Sequence, residues 1–174
     1  MAEEVQRKKM SSSTPEAFTA AILTVSDSSA RLERADLSGP AVAETLLHKE
    51  FQVVAREIVP DEQDAIREAI VRLAGKARLV VTTGGTGIAE RDVTPEATRA
   101  VCDRLIEGVA ERMRLVGART TPFAALSRGI CGVKGKSIIL NVPGSPKGAV
   151  DSLVAVIDLL PHALQLLAGN TAHE

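Results

Sequence analysis

The sequence predicts an α/β fold, a three-layer α/β/α sandwich built on a mostly parallel sheet. Apolar, β-branched runs alternate along the chain with stretches of helical periodicity. Several of these runs lack the polar alternation of a half-exposed strand, which indicates burial on both faces. A chain of 174 residues with 45% hydrophobic content is long enough for one core and too short for two ordinary domains.

Four apolar runs are predicted to be strands because each is followed by turn-forming residues. The first ends in the polar pair Ser26-Asp27, and the second ends in Pro60-Asp61. The third is apolar throughout, which predicts helices on both of its faces, and it opens into a glycine-rich loop. The fourth ends in Asn141 and a Pro-Gly-Ser-Pro turn. In chain order, the predicted strands are residues 18–25, 51–59, 78–82 and 137–142.

The helices are predicted from apolar residues at helical spacing and from Pro, Gly or Asp near the helix ends. Asp61 is placed to cap the second helix, and Thr94 is placed to cap the third. Residues 121–128 are ambiguous, a loop with one short helix, and Pro161 breaks or restarts the last helix. In chain order, the predicted helices are residues 38–49, 61–75, 95–106, 109–116 and 148–159.

The loop after the third strand is the most informative part of the chain. Residues 80–87 read Val-Val-Thr-Thr-Gly-Gly-Thr-Gly, and Arg91-Asp92-Val93-Thr94-Pro95 follows closely. Glycines let backbone N–H groups approach a phosphate, so the loop predicts an anion pocket with a carboxylate at its rim. The P-loop pattern fails because Ile88-Ala89 stands where it needs Lys and Ser or Thr, and a dinucleotide-binding G-x-G-x-x-G would end on Glu90. The alternative is that the glycines form only a tight turn.

The polar loops after the four strands are expected to converge, because the carboxyl ends of parallel strands meet at one edge of a sheet. They bring Asp27, Asp61 and Asp92 beside glycine-rich backbone. Carboxylates next to a phosphate cradle suit Mg²⁺, which predicts phosphoryl or nucleotidyl transfer. Each carboxylate has a local alternative: Asp61 as a helix cap, Asp27 in an Asx-turn, and Asp92 in an ion pair with Arg91.

Composition argues against several other classes of protein. A net charge of -1 and the lack of Trp and Tyr disfavour a nucleic-acid partner. No apolar stretch reaches the ~20 residues that cross a bilayer, so no membrane association is expected. Cys102 and Cys131 lie outside any C-x-x-C pattern, which suits buried side chains and a cytoplasmic location. The histidines lie away from the polar loops, so no histidine base or His-rich metal site is expected. Residues 1–16 are predicted to be a disordered tail, and residues 17–174 a single domain.

Seven motifs follow one another along the chain: Thr24-Val25-Ser26-Asp27, Asp36-Leu37-Ser38-Gly39-Pro40, Val59-Pro60-Asp61, Thr82-Thr83-Gly84-Gly85-Thr86-Gly87, Arg91-Asp92-Val93-Thr94-Pro95, Leu126-Ser127-Arg128 and Asn141-Val142-Pro143-Gly144-Ser145-Pro146. In this order they resemble the Mog/MoaB family of molybdenum cofactor biosynthesis proteins, a group that includes the G domains of fusion proteins such as gephyrin. The resemblance runs from about residue 19 to residue 167.

The resemblance implies transfer of AMP from Mg-ATP to the terminal phosphate of molybdopterin, with release of pyrophosphate. It also implies a homotrimer and contacts with other enzymes of the pathway. Asp61 and Asp92 would be the catalytic carboxylates and the Mg²⁺ ligands. The phosphate-binding residues would be Gly84, Gly85, Thr86, Gly87 and Thr94. The residues lining the pterin and nucleotide pocket would be Ser26, Asp27, Ser127, Arg128, Asn141, Gly144 and Ser145.

The chain departs from the family pattern at Ser28, where many relatives carry Arg. A basic contact to substrate is therefore expected from Arg91, Arg128 or Lys147. The main alternative to the enzyme is a molybdopterin carrier or assembly protein that uses the same pocket without chemistry. A scaffold role and a hydrolase of the competence-damage group are weaker alternatives. The family also includes members that serve tungsten.

Overall fold

The computed structural model describes residues 18–170, which form one six-stranded sheet with helices on both faces. The strand order is β2-β1-β3-β6-β5-β4. The first four strands in this order are parallel, and β5 pairs antiparallel with both β6 and β4. The strands are β1 Thr19–Val25, β2 Gln52–Val59, β3 Leu79–Thr83, β4 Arg104–Leu105, β5 Cys131–Lys134 and β6 Ser137–Val142.

The helices cover the sheet in two layers, each with its own apolar cluster. Ile22, Leu79 and Leu140 point into one cluster, and Leu23, Val80 and Ile139 point into the other, as alternation along buried strands requires. The helices are α1 Asp27–Ala30, α2 Ser38–His48, α3 Gln63–Ala74, α4 Thr94–Val101, α5 Glu107–Gly117, α6 Pro146–Val154 and α7 Leu160–Leu167, with 3-10 turns at Pro122–Leu126 and Ile157–Leu159.

The predicted fold class and the mostly parallel sheet are confirmed. All four predicted strands are present within a residue or so of their expected bounds, and β3 is buried along its whole length. Strands β4 and β5 were not predicted because they are short and have no clear alternation. The helix predicted over 95–106 ends at Val101, since Cys102 is already extended and the chain turns into β4.

Both predicted capping roles are wrong. Helix α3 is preceded by Glu62 at its N-cap, with no side-chain cap, and Asp61 lies outside the helix. Helix α4 begins at Thr94 with Val93 at its N-cap, and the Thr94 hydroxyl donates to the Gly84 carbonyl oxygen at 2.9 Å. The polar loop predicted after β1 contains the short helix α1, which is capped by Ser26. Asp61 and Thr94 are thus used by tertiary contacts and not by their own helices.

Other sequence predictions concern membrane association, the cysteines and the chain termini. Among residues 18–170 no single helix could cross a membrane; only the bent pair Pro146–Val154 and Ile157–Leu167 passes a test of length and composition, and both helices pack on the sheet. Burial raises the pKa of the Cys102 thiol to about 11 and that of Cys131 to about 12, and neither forms a disulfide. His173 and the tail predicted at residues 1–16 lie outside the described residues.

Candidate active site

The loops that follow β1, β2, β3 and β6 converge at one edge of the sheet. A ridge of two short backbone segments, Gly84-Gly85 and Gly144-Ser145, runs through the middle of this edge. A Cβ on Gly144 would lie 3.2 Å from the Gly84 Cα, so the two segments touch. The ridge separates a larger cleft of about 660 Å³ from a smaller cleft of about 410 Å³. Both clefts are lined by Gly85, Gly144 and Ser145.

The glycines of the ridge have a geometric reason to be glycine. Gly84 has φ +103°, and a Cβ there would lie 2.2 Å from the Val25 carbonyl oxygen. Gly85 has φ +64°, and a Cβ there would lie 2.3 Å from the Thr94 Oγ1 and 3.3 Å from the Asp61 Oδ1. Both the positive φ and the lack of space exclude a side chain. The backbone of β3 therefore turns closely over Asp61.

The same turn leaves backbone donors available. The Gly84 N–H donates to the Val142 carbonyl, and the Thr94 N–H donates to the Gly85 carbonyl. Within residues 18–170, the N–H groups of Gly85, Thr86 and Gly87 donate to no other residue. Adjacent backbone N–H groups without protein acceptors form an anion-binding concavity. Gly85, Thr86 and Gly87 all line the larger cleft.

Asp27 and Asp61 are held together by two reciprocal hydrogen bonds. The Asp27 N–H donates to the Asp61 Oδ2, and the Asp61 N–H donates to the Asp27 Oδ1, each at 2.9 Å. Arg91 donates from Nε at 3.1 Å and from Nη2 at 2.5 Å to the Asp27 Oδ2. The ends of β1 and β2 are therefore locked to each other, and the glycine loop is tied to them through Arg91.

The pKa values of Asp27 and Asp61 are shifted in opposite directions. The Arg91 guanidinium and the Asp61 N–H hold the pKa of Asp27 below its ordinary value. Burial raises the pKa of Asp61, and the nearby charges of Asp27 and Asp92 raise it further. A half-buried carboxylate with negative neighbours gains from a cation, which makes Asp61 a candidate cation ligand.

Asp92 lies on the opposite side of the ridge and lines the larger cleft. Its Oδ2 accepts from the Ala89 N–H at 3.0 Å, which fixes the carboxylate within its own loop. Among residues 18–170, no three His, Cys, Asp or Glu side chains are grouped closely enough to hold a metal ion by themselves. Asp61 and Asp92 could hold Mg²⁺ only together with substrate oxygens, which is the usual mode for this ion.

Comparison with known proteins identifies the family to which this fold belongs. The family model described as a probable molybdopterin binding domain matches residues 21–162. This chain belongs to the Mog/MoaB family of molybdenum cofactor biosynthesis proteins. A relative from Helicobacter pylori strain J99, named molybdopterin adenylyltransferase, is 40% identical over 156 residues and covers 86% of this chain and 87% of that protein.

Solved Mog/MoaB structures have the same architecture. The MoaB protein of Thermus thermophilus, titled a molybdopterin biosynthesis enzyme, has a TM-score of 0.83 and 53% identity, and covers 87% of this chain and 97% of that chain. The MoaB protein of Pyrococcus furiosus, titled a tungsten cofactor synthesizing protein, has a TM-score of 0.80 and 31% identity, and covers 88% of this chain and 99% of that chain.

Most of the site residues predicted from the Mog/MoaB resemblance lie at the converging edge. The larger cleft is lined by Gly85, Thr86, Gly87, Asp92, Ser127, Gly144 and Ser145. The smaller cleft is lined by Ser26, Asp61, Gly84, Gly85, Gly144 and Ser145. Four predicted residues line neither cleft: Asp27, Thr94, Arg128 and Asn141. These four are hydrogen-bonded to protein groups next to the clefts.

Asn141 and Thr94 are the most deeply enclosed of these. Asn141 is 1% exposed, and its amide donates to the Thr82 Oγ1 and the Thr98 Oγ1, each at 2.9 Å. Thr94 is fully buried, and its hydroxyl is engaged by the Gly84 carbonyl. In this Mog/MoaB chain, both side chains therefore hold the ends of the strands in place through buried hydrogen bonds.

The structure also adds residues that the sequence did not indicate. Phe123 and Leu126, in the 3-10 turn, give the larger cleft an apolar wall, and Phe123 is 74% exposed. Arg34 lines the smaller cleft. The available signal for this wall was a phenylalanine directly after Thr121-Pro122, followed by the apolar residues Ala124-Ala125-Leu126. Arg34 had none, because it lies in a charged stretch without periodicity.

Proposed function

We propose that this chain is a molybdopterin adenylyltransferase, which transfers AMP from Mg-ATP to the terminal phosphate of molybdopterin and releases pyrophosphate. The observation that carries the proposal is the glycine ridge, with clefts on both sides and backbone donors of the described chain left without protein acceptors. Such a ridge suits two phosphate-bearing substrates that approach from opposite sides. Asp61 lines one cleft and Asp92 the other. The name of the Helicobacter relative supports the same activity.

The proposed chemistry is a nucleotidyl transfer. An oxygen of the molybdopterin phosphate attacks the α-phosphorus of ATP, a new P–O bond forms, and pyrophosphate leaves with the electrons of the broken bond. A phosphate monoester has a second pKa of about 6, so the nucleophile is already mostly dianionic at neutral pH and needs no general base. The role of the protein is to hold the two phosphates in line, with the amides of Gly85, Thr86 and Gly87 bound to phosphate oxygens.

Asp61 and Asp92 are the residues proposed to hold Mg²⁺. When bound, the ion would neutralise phosphate charge and orient the reacting oxygens. The donor set fits, since Mg²⁺ is usually held by one or two carboxylates plus substrate phosphates. The raised pKa of Asp61 supports this choice, because a cation would relieve the repulsion that Asp61 feels from Asp27 and Asp92.

The wider assembly is proposed from the family alone. We expect a homotrimer in the cytoplasm that hands adenylylated molybdopterin to other enzymes of the cofactor pathway. Light scattering tests the trimer, and a particle of the monomer mass, 18.3 kDa, would contradict it.

The experiment that tests the function is pyrophosphate release from Mg-ATP, measured with and without molybdopterin and coupled to mass detection of the pterin product. Release that depends on the pterin, with a product heavier by one adenylyl group, is the expected result. Binding of the pterin without release would instead identify a carrier. Arg67→Gln is a suitable control, because the one ion pair that Arg67 forms within residues 18–170 is an exposed pair with Asp64 on α3.

A further inference from the structure

Arg128 has an unusually complete set of contacts with the loop that carries Asp92. Its Nε donates to the Gly87 carbonyl at 2.7 Å, and its Nη2 donates to the Asp92 carbonyl at 2.5 Å. Its Nη1 donates to the Glu96 carboxylate, and its backbone N–H donates to the Thr86 carbonyl at 2.9 Å. One residue therefore binds three backbone carbonyls of the loop and one carboxylate at the start of α4.

These contacts use each of the three guanidinium nitrogens. A guanidinium has donors but no acceptor, and its planar fork holds these donors in a fixed geometry. Arg128 lines neither cleft. The sequence resemblance placed it among pocket residues, yet its donors point into the loop and not into the clefts.

We propose that Arg128 is a positioning residue, which clamps the loop between Gly87 and Asp92 so that the Asp92 carboxylate and the amides of the loop keep a fixed geometry. Asp92 is held at three points: its carbonyl by Arg128, its Oδ2 by the Ala89 N–H, and its own N–H by the Ala89 carbonyl at 2.9 Å. With both ends of the residue held, its side chain has little freedom. The expected effect on kcat rests on the proposed function, because it assumes that Asp92 takes part in turnover. The clamp itself does not depend on that function.

Rate is sensitive to such a clamp. A misplacement of about 1 Å in a reacting group can lower turnover by about 100-fold. A substrate ligand would behave differently, because its loss weakens binding in the ground state and raises KM. The two roles therefore differ in kcat, in KM and in the mobility of the loop.

The test compares Arg128→Gln, Arg128→Lys and Glu96→Gln with Arg67→Gln as the matched surface control. Hydrogen exchange of the peptide covering residues 84–93 is read without substrate, and kcat and KM are read for ATP and for molybdopterin. We expect Arg128→Gln to speed exchange in this peptide and to lower kcat by about 10- to 100-fold, with KM changed by less than about threefold. Arg128→Lys should lie between, since the three N–H donors of an ammonium share one nitrogen and cannot span acceptors that Arg128 reaches from three separate nitrogens.

Glu96→Gln keeps both backbone contacts of Arg128 and should change kcat by less than about threefold. If Arg128→Gln shows no cooperative unfolding transition and is therefore not folded, the same measurements on Arg128→Lys provide the test. A raised KM for one substrate with unchanged kcat and unchanged loop exchange would overturn the proposal, as would a lower kcat without faster exchange. The exchange measurement needs no turnover, so it tests the clamp even if the wild-type chain releases no pyrophosphate and the proposed function fails.

Discussion

Two glycine turns in this chain have nearly the same backbone φ angle but very different surroundings. Gly85 has φ +64° and Gly135 has φ +58°. A Cβ on Gly85 would lie 2.3 Å from a buried Thr94 hydroxyl, whereas a Cβ on Gly135 would meet nothing within 4 Å. Gly135 turns the chain from β5 into β6, and Gly85 turns it from β3 toward α4. The same local signal thus marks a packed site in one place and an open hairpin in the other.

The difference follows from strand direction. β1, β2, β3 and β6 are parallel, so their carboxyl ends share one edge, and every loop there meets the others. The Gly135 turn precedes β6 and therefore lies at the opposite edge. A carboxylate stands beside each turn: Asp92 in the glycine loop, and Asp103, whose Oδ2 accepts from the Gly135 N–H at 2.7 Å. Topology therefore places Asp92, and not Asp103, at the edge of the sheet where the two clefts lie.

The largest expected effect comes from this pair of carboxylates. Asp92→Asn should lower kcat by about 10³-fold, because it removes a charge proposed to act on the transferring phosphate. The fold should survive, since the asparagine oxygen can still accept from the Ala89 N–H. Asp103→Asn is the control and should change kcat by less than about twofold. Pyrophosphate release measures both, and near wild-type turnover of Asp92→Asn would refute its role.

The next effect compares the two glycines directly. Gly135→Ala should destabilise the protein by about 1 kcal/mol, the cost of a left-handed alanine in open space. Gly85→Ala adds overlap with Thr94 and should cost about 3 kcal/mol in all. Urea unfolding of the two variants measures the difference. Equal losses would mean that the Thr94 side of the loop yields easily and that the turn is not packed as described.

Sequence reasoning succeeded where the signal is local. The glycine loop, the polar strand ends and the alternation of strands and helices are all patterns within a few residues, and the fold class and the convergence of loops followed from them. The partners of individual side chains were not accessible in this way. Asp61 has local features of a helix cap, yet its carboxylate binds the Asp27 N–H, 34 residues away. Arg128 reaches the Asp92 carbonyl across 36 residues.

A third prediction concerns the joint between the parallel and antiparallel halves of the sheet. Asn141 on β6 donates to Thr82 on β3 and accepts from the Ile130 N–H, just before β5, at 3.3 Å. Asn141→Leu should cost about 2 kcal/mol, because it leaves buried polar groups without partners. Thr98→Val removes only one acceptor and should cost about 1 kcal/mol. Urea unfolding again gives both values, and a neutral Asn141→Leu would show that the side-chain hydrogen bonds of Asn141 add nothing to the backbone pairing between β5 and β6.

The smallest expected effect is a difference in how Asp27 and Asp61, which exchange hydrogen bonds, change stability with pH. Arg91 lowers the pKa of Asp27 below its ordinary 3.8, so the stability from Asp27 is present above that value and is lost as the pH falls through the lowered pKa. The pKa of Asp61 is raised above 3.8, so its stability is present below that value and is lost as the pH rises through the raised pKa.

Melting temperatures of Asp27→Asn and Asp61→Asn, compared with wild type at a series of pH values, should therefore diverge. As the pH rises from acid toward neutral, Asp27→Asn should fall progressively below wild type because it lacks the Arg91 pairing. Asp61→Asn should gain on wild type over the interval just above 3.8, because it lacks a carboxylate that burial, and then the charges of Asp27 and Asp92, make costly to ionise. If both variants lost stability in parallel, the two carboxylates would share one environment. Nothing would then favour Asp61 over Asp27 as the candidate cation ligand.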